Sequence, residues 1–271
     1  MVTPARLALH EDWAVGLQMR VRSNPGSFSS TGQYRTSSGA DQIVEQDFAA
    51  AARITDKAQV GIMVPMIQAH RSVGDTWGSG LGDVSLTARY DFLLPAQALY
   101  LPGIAMLVAG TLPTGTPPDS AANPLVGTGD GTYEVTAGMD VEKTFGHVFA
   151  GVNGWLTHRF SRAVSFPGAM PIDESFGLRW TVLAVASYVF ENESALGVQV
   201  STMNENIATI NGVQDPSTQL RLTTVGLAGV IPIRDNWRVQ GSLFSDVMIA
   251  SFGRNEPVGY GLTAAIVRVW L

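Results

Sequence analysis

In the stretch GDVSLTARYDFLL, residues 82–94, apolar and polar side chains take turns without interruption. Val84, Leu86, Ala88, Tyr90 and Phe92 form one set, and Asp83, Ser85, Thr87, Arg89 and Asp91 the other. Successive side chains of a β-strand point to opposite faces, so a period of two predicts a strand with one apolar and one polar face. The same pattern recurs in 12–22 (Trp13, Val15, Leu17, Met19, Val21), in 132–142 (Tyr133, Val135, Ala137, Met139, Val141) and in 236–249. In the last of these Trp237, Val239, Leu243, Val247 and Ile249 alternate with Arg238, Gln240, Ser242 and Asp246, and Phe244 breaks the pattern.

Weaker alternation marks 41–54, 58–70, 98–111, 147–160, 177–190, 195–205, 218–231 and 258–271. That gives about twelve predicted strands, longer than the five or six residues usual in soluble sheets and long enough to cross a bilayer on a tilt. The connections alternate as well. Short turns fall at 55–57, 95–96, 145–147, 191–193 and 234–236, and longer Gly/Pro-rich polar stretches at 23–40, 71–80, 113–131, 161–174, 206–217 and 251–256. Short turns at one end and long loops at the other predict a transmembrane antiparallel up-and-down β-barrel spanning residues 1–271 as a single domain. A soluble sandwich also alternates, but its core needs large side chains packed together, whereas here the apolar face is rich in Ala, Val and Leu.

Aromatic placement fits the same picture. Trp13, Tyr90, Phe92, Tyr188 and Trp237 fall near the short-turn ends of their strands, and Tyr133, Trp180 and Tyr260 near the opposite ends. Two aromatic girdles around an apolar band are expected where amphipathic rings meet both membrane interfaces. With the apolar set outside, the polar set lines the lumen: Arg20, Glu45, Asp47, Arg53, Asp83, Arg89 and Asp91, then Glu134, Asp140, Arg159, Arg179, Arg221, Arg238 and Asp246. Arg22, Glu142, Gln199, Gln240 and Arg268 join them. Acids and arginines are nearly balanced, and buried charge must be paired or hydrated, so cross-strand Arg–carboxylate ladders are expected.

Composition narrows the partners. A net charge of −6 and a pI near 5.2 argue against nucleic acid. Charged residues make up 15 %, well below the roughly 25 % of soluble domains. Without cysteine there are no disulfides, thiolate metal sites or cysteine nucleophiles. The longest apolar run, TVLAVASYVF at 181–190, is too short for a spanning helix. The opening MVTPARLALHED lacks the full apolar core of a signal peptide, so an exported protein is expected to start here in mature form or from a reassigned start codon.

The chemistry-bearing candidates are sparse. GSGLG at 78–82 precedes no helix and is not a dinucleotide fingerprint. Asp119, Asn123 and Asp130 carry oxygen ligands at spacings that match no calcium loop. No cofactor, metal or energy source is implied. His70-Arg71-Ser72 resembles the His-x-Ser arrangement of outer-membrane phospholipase A, which implies a barrel lipid hydrolase with His70 as base and Ser72 as nucleophile, although no orienting Asn is identifiable.

A second resemblance covers roughly residues 80–190. The strand opening at Gly82-Asp83, the Pro113-Thr114-Gly115 loop and the Gly127-Thr128-Gly129 stretch before the next strand resemble the MetA-pathway phenol-degradation outer-membrane proteins. The resemblance implies an outer-membrane barrel for passive uptake of small hydrophobic or aromatic molecules, and supplies no catalytic residues. The expected protein is therefore an outer-membrane channel with both termini in the periplasm, meeting outer-membrane lipid outside and small-molecule solutes inside. The alternatives are a non-transporting barrel that serves as scaffold or partner in an envelope complex, and the His70/Ser72 hydrolase.

Overall fold

A computed structural model describes the chain except residues 1–6, 9, 96–99, 122, 166–169 and 235. The strands, in chain order, are β1 (Trp13–Phe28), β2 (Tyr34–Thr55), β3 (Ala58–Arg71), β4 (Thr76–Leu81), β5 (Val84–Leu93), β6 (Gly103–Leu112), β7 (Glu134–Phe145) and β8 (Val148–Arg159). They continue with β9 (Arg162–Val164), β10 (Ile172–Ser175), β11 (Arg179–Val189), β12 (Ala195–Glu205), β13 (Ala208–Ile210), β14 (Val213–Asp215), β15 (Leu220–Arg234), β16 (Trp237–Asp246) and β17 (Pro257–Trp270). Among the described residues helix is confined to two 3₁₀ turns, Pro124–Val126 and Pro216–Thr218.

Twelve of the strands close into an antiparallel barrel. Closure is made at β1, which pairs with β2 on one side (Trp13 opposite Ala52) and with β17 on the other (Trp13 opposite Trp270). The remaining neighbours follow the chain, each strand beside the next. β4 extends the line of β5 along β3 past an irregularity at Gly82-Asp83. A closed ring leaves no backbone N–H or C=O at an open edge, which hydrocarbon has no partner for.

The polarity is inverted relative to a soluble protein. Leu17, Ile62, Leu86, Val152, Leu227 and Leu243 stand exposed on the outside, while Asp47, Asp140, Glu142 and Asp246 are buried within. Covering such a Leu is worth about 1.5–3 kcal/mol, which this barrel recovers only when its outer wall meets an apolar medium. The predicted girdle aromatics Trp13, Tyr90, Phe92, Tyr188 and Trp237 all lie on this outer wall. Tyr188 stacks on His147 and meets Phe190 edge-on; Tyr90 meets Phe92 in the same way.

The predicted long loops are more ordered than expected. Residues 23–40 are mostly strand, with a turn at 29–33 in which Ser29 N donates to Gln33 O and Gly32 takes φ 77°. Residues 71–80 close a hairpin between β3 and β4, and 161–174 and 206–217 supply a second sheet in the order β14-β13-β10-β9. These extensions are short or rich in Ser, Thr, Gly and charged residues, as in RTSSG at 35–39 and IDES at 172–175, so they lack the apolar period that marks the barrel strands. β16 stops at Asp246, leaving Val247 and Ile249 outside it. Of the short turns, Ala96 and Asp235 lie outside the described residues, as do the first residues of the strand predicted at 98–111.

Candidate functional site

The lumen is organised by ion pairs that reach over small residues. On β5, Arg89 meets Asp91 two positions along the same face (2.9 Å) and crosses β6 to Asp140 on β7 (2.5 Å), with Glu142 at 4.0 Å. The residue of β6 lying between Asp91 and Asp140 in register is Ala105, whose small side chain leaves the guanidinium room to cross. Near the long-loop end, Arg159 and Arg179 share Glu205 (2.9 and 2.7 Å) and flank Glu134 (3.8 and 3.9 Å). Arg159 also reaches Asp130 at 3.5 Å and lies over the ring of Phe176. Removing one member of such a buried network strands the charges it neutralised, at about 3–5 kcal/mol.

A cavity of about 130 Å³ opens in the wall formed by β12, β15, β16, β17 and β1. Arg20, Arg22, Gln18, Gln199, Ser201, Thr224, Ser242 and Thr263 line it, together with the ring of Phe244. Arg20 is paired with Glu45 at 2.9 Å, and Arg22 with Asp246 at 2.6 Å, so both cations are neutralised in place. Asp47, fully buried, accepts from Gln18 Nε2 at 2.8 Å. Phe244, the break in the alternation, faces the interior between two glycines, Gly226 on β15 and Gly261 on β17. A Cβ on Gly261 would sit 2.7 Å from its ring, so the ring lies against the wall where a side chain is missing. Trp155 repeats the arrangement over Gly138, where a Cβ would come within 2.5 Å of the indole. Sequence reading missed both rings; the available signal was an inward aromatic opposite a glycine.

At the end of the barrel where β1 begins and β17 ends, Leu7, Ala8 and Glu11 sit against the inner wall. Leu7 packs against Ala14, Ala51, Val267 and Val269 on the inner wall. Its backbone N–H donates to Gln59 Oε1 at 2.8 Å. Arg53 donates to the carbonyls of Ala8 and Glu11, and Arg238 pairs with Glu11 at 2.9 Å. Arg53 and Arg238 thus face inward and hold Ala8 and Glu11 of the chain itself.

At the opposite end the β6–β7 loop is fastened to the inner side of β4 and β5. Asp83 accepts from the backbone N–H of Gly115 (2.9 Å) and Asp130 (2.7 Å). Thr114 Oγ1 donates to Gly82 O at 2.8 Å, and Thr128 Oγ1 to Leu81 O at 2.7 Å. The glycines explain the motifs: a Cβ on Gly78 would overlap Val126, and one on Gly129 would come 2.5 Å from Asp83. GSGLG, PTG and GTG are one close-packed joint. Just outside the strands, burial pushes the Glu256 carboxyl up to about 7, against the pull of Arg179 and Arg22.

Four predicted positions need correction. Arg221 is paired with Asn204 between Leu220–Glu205 and Leu222–Met203, which puts it on the face opposite to the inward Glu205; it bonds Asn204 and Ser251 O instead of lining the lumen. Arg268 likewise points outward, between the inward Val267 and Val269. His70 and Ser72 do not meet as base and nucleophile: His70 Nε2 lies 2.8 Å from Asp75, and Ser72 Oγ donates to Asp41. Asp119, from the loop considered for calcium, is paired with Arg162 at 3.0 Å. Among the described residues no three His, Cys, Asp or Glu side chains are placed to hold a metal.

No protein-family model matches the chain, and no curated protein matches it. Among solved structures it is similar to the COG4313 outer membrane channel from Pseudomonas putida F1, at a TM-score of 0.82 and 14% identity over 100% of this chain and 99% of that one. The β-domain of the Bordetella autotransporter BrkA is similar at a TM-score of 0.53 and 10% identity, over 95% of this chain and 100% of that one. At these identities the likeness concerns architecture, and it establishes that this chain has the fold of an outer-membrane β-barrel.

Proposed function

We propose that the protein is a passive channel of the bacterial outer membrane, with both termini on the periplasmic side, admitting small solutes that carry a planar apolar part. The observation that carries the reading is the inner cavity, where the Phe244 ring lies against a wall otherwise made of hydroxyls, amides and neutralised arginines. A planar solute stacks on such a ring and exchanges its water for the surrounding donors and acceptors, while ions find the fixed charges already paired. The resemblance to the MetA-pathway proteins points to the same class of hydrophobic or aromatic molecules. The likeness to an outer membrane channel supports the general reading.

In this reading the N-terminal segment is the periplasmic gate and the β6–β7 loop narrows the outer mouth. The occupancy of both mouths is also what favours the scaffold alternative, and one experiment separates the two. Purified barrel is reconstituted in planar bilayers and in liposomes, intact and with residues 2–11 deleted, and conductance and swelling are recorded. Flux through the deleted form is expected. A folded barrel that passes neither ions nor solutes in either form eliminates the channel and leaves the scaffold.

A further inference from the structure

Three of the chain's six tryptophans, Trp13, Trp237 and Trp270, gather on the outer wall at the end of the barrel that holds the termini. Arg268 stands among them. In register it lies between Trp237 on β16 and Val15 on β1, two residues before Trp270, which is itself opposite Trp13. Its guanidinium carbon is 4.8 Å from the Trp270 ring centroid and 5.5 Å from that of Trp237. Among the described residues no carboxylate lies within ion-pair distance of it, whereas the wall around it carries exposed Val15, Leu17, Val239 and Ile266.

An arginine on the apolar side of a barrel wall is costly unless its charge reaches the interface and finds an anion there. The two indoles fix the guanidinium by cation–π contact, and among the described residues its N–H fork has no protein acceptor. We infer that Arg268, Trp237 and Trp270 form a binding site for the phosphodiester headgroup of a phospholipid in the periplasmic leaflet. The fork matches two phosphate oxygens, the tryptophans sit at headgroup level, and the acyl chains continue along Val15, Leu17, Val239 and Ile266. The site rests on the membrane placement proposed above.

The test uses the full chain in detergent, titrated with phosphatidylglycerol and followed by native mass spectrometry, with diacylglycerol and inorganic phosphate as separate probes. One phosphatidylglycerol is expected to stay bound, with R268Q weakening it about tenfold and W270L about threefold. R268K should fall between wild type and R268Q, because an ammonium lacks the fork. Diacylglycerol should not be retained, and millimolar inorganic phosphate should not displace the lipid. Equal retention by wild type and R268Q, where R268Q inserts into vesicles and keeps its heat-modifiable migration, overturns the site alone. Displacement by inorganic phosphate also overturns it, since the site then binds any phosphate. Failure of the wild-type chain to insert into vesicles overturns the membrane placement and the site together.

Discussion

The two ends of the lumen are occupied in different ways. At the terminal end Leu7, Ala8 and Glu11 are held by Gln59, Arg53 and Arg238, with Leu7 in an apolar recess. At the far end the β6–β7 loop is fixed by Asp83, Thr114 and Thr128, with Val126 against Gly78 and Asp83 against Gly129 at distances that only glycine permits. The first arrangement depends on long side chains of the wall that reach across to Leu7, Ala8 and Glu11, which belong to no strand. The second is a joint in which wall and loop were built for each other. One is suited to open, the other to stay.

Deleting residues 2–11 tests the difference most strongly. It empties the terminal mouth without touching a wall strand, and single-channel conductance should rise at least about fivefold, the lumen of a twelve-stranded barrel being narrow enough for one segment to block. Conductance equal to that of the intact chain would show that the constriction lies elsewhere. The joint is probed by Asp83→Ala, which removes a charged acceptor from two N–H groups. The expected loss is about 1.5–3 kcal/mol per bond, seen as earlier unfolding in the gel-shift assay and as new protease cuts within 113–131. Conductance should change less than about twofold. A larger rise than the deletion gives would invert the assignment of gate and joint.

The same contrast shows which features the sequence exposes. β5 is plain in the alternation of Val84 to Phe92 because its outer face is apolar throughout and its inner face polar throughout. The same alternation puts Arg20, Glu45, Asp47, Arg89, Asp91, Glu134, Asp140, Arg159, Arg179 and Asp246 on the inner face, paired with one another or with neighbouring polar groups. It fails where the inner face is itself apolar. Val267 and Val269 point inward because they house Leu7, so in IVRVW both faces look apolar and Arg268 goes to the wrong one. At Arg221 the period slips: Leu220 and Leu222 are on the inner side, Val225 and Leu227 on the outer. The seat of Leu7 and Glu11 is invisible for the same reason, since Arg53, Gln59, Arg238, Val267 and Val269 meet only after the barrel closes. The joint was half visible as Gly-rich motifs, whose purpose depends on what lies across from each glycine.

At the loop end, Glu256 gives that mouth a dependence on pH that the terminal end lacks among the groups with a resolved shift. Its carboxyl is pushed up to about 7 from an ordinary 4.5, so the folded state holds this proton over a range where the unfolded chain has lost it. Stability from that proton is complete below about 4.5 and declines as pH rises to about 7. In the segment-deleted channel, lowering the pH from 8 to 6 should remove one negative charge from the mouth and shift the reversal potential toward anions. Glu256→Gln should hold the potential constant over the same range; a shift that persists in the variant would place the titrating group elsewhere.

The smallest effect concerns the cavity itself. Phe244→Leu keeps an apolar side chain over Gly261 but removes the flat face, so the barrel should fold as before and pass ions unchanged. Stacking of this kind contributes about 0.5–1.5 kcal/mol beyond area burial, which predicts a threefold to tenfold loss of discrimination, roughly, between a planar solute and a saturated one of equal size. Liposome swelling with such a matched pair measures it directly. Equal ratios in wild type and variant would reduce Phe244 to a filler for the missing side chains of Gly226 and Gly261, and leave the lumen selecting by width alone.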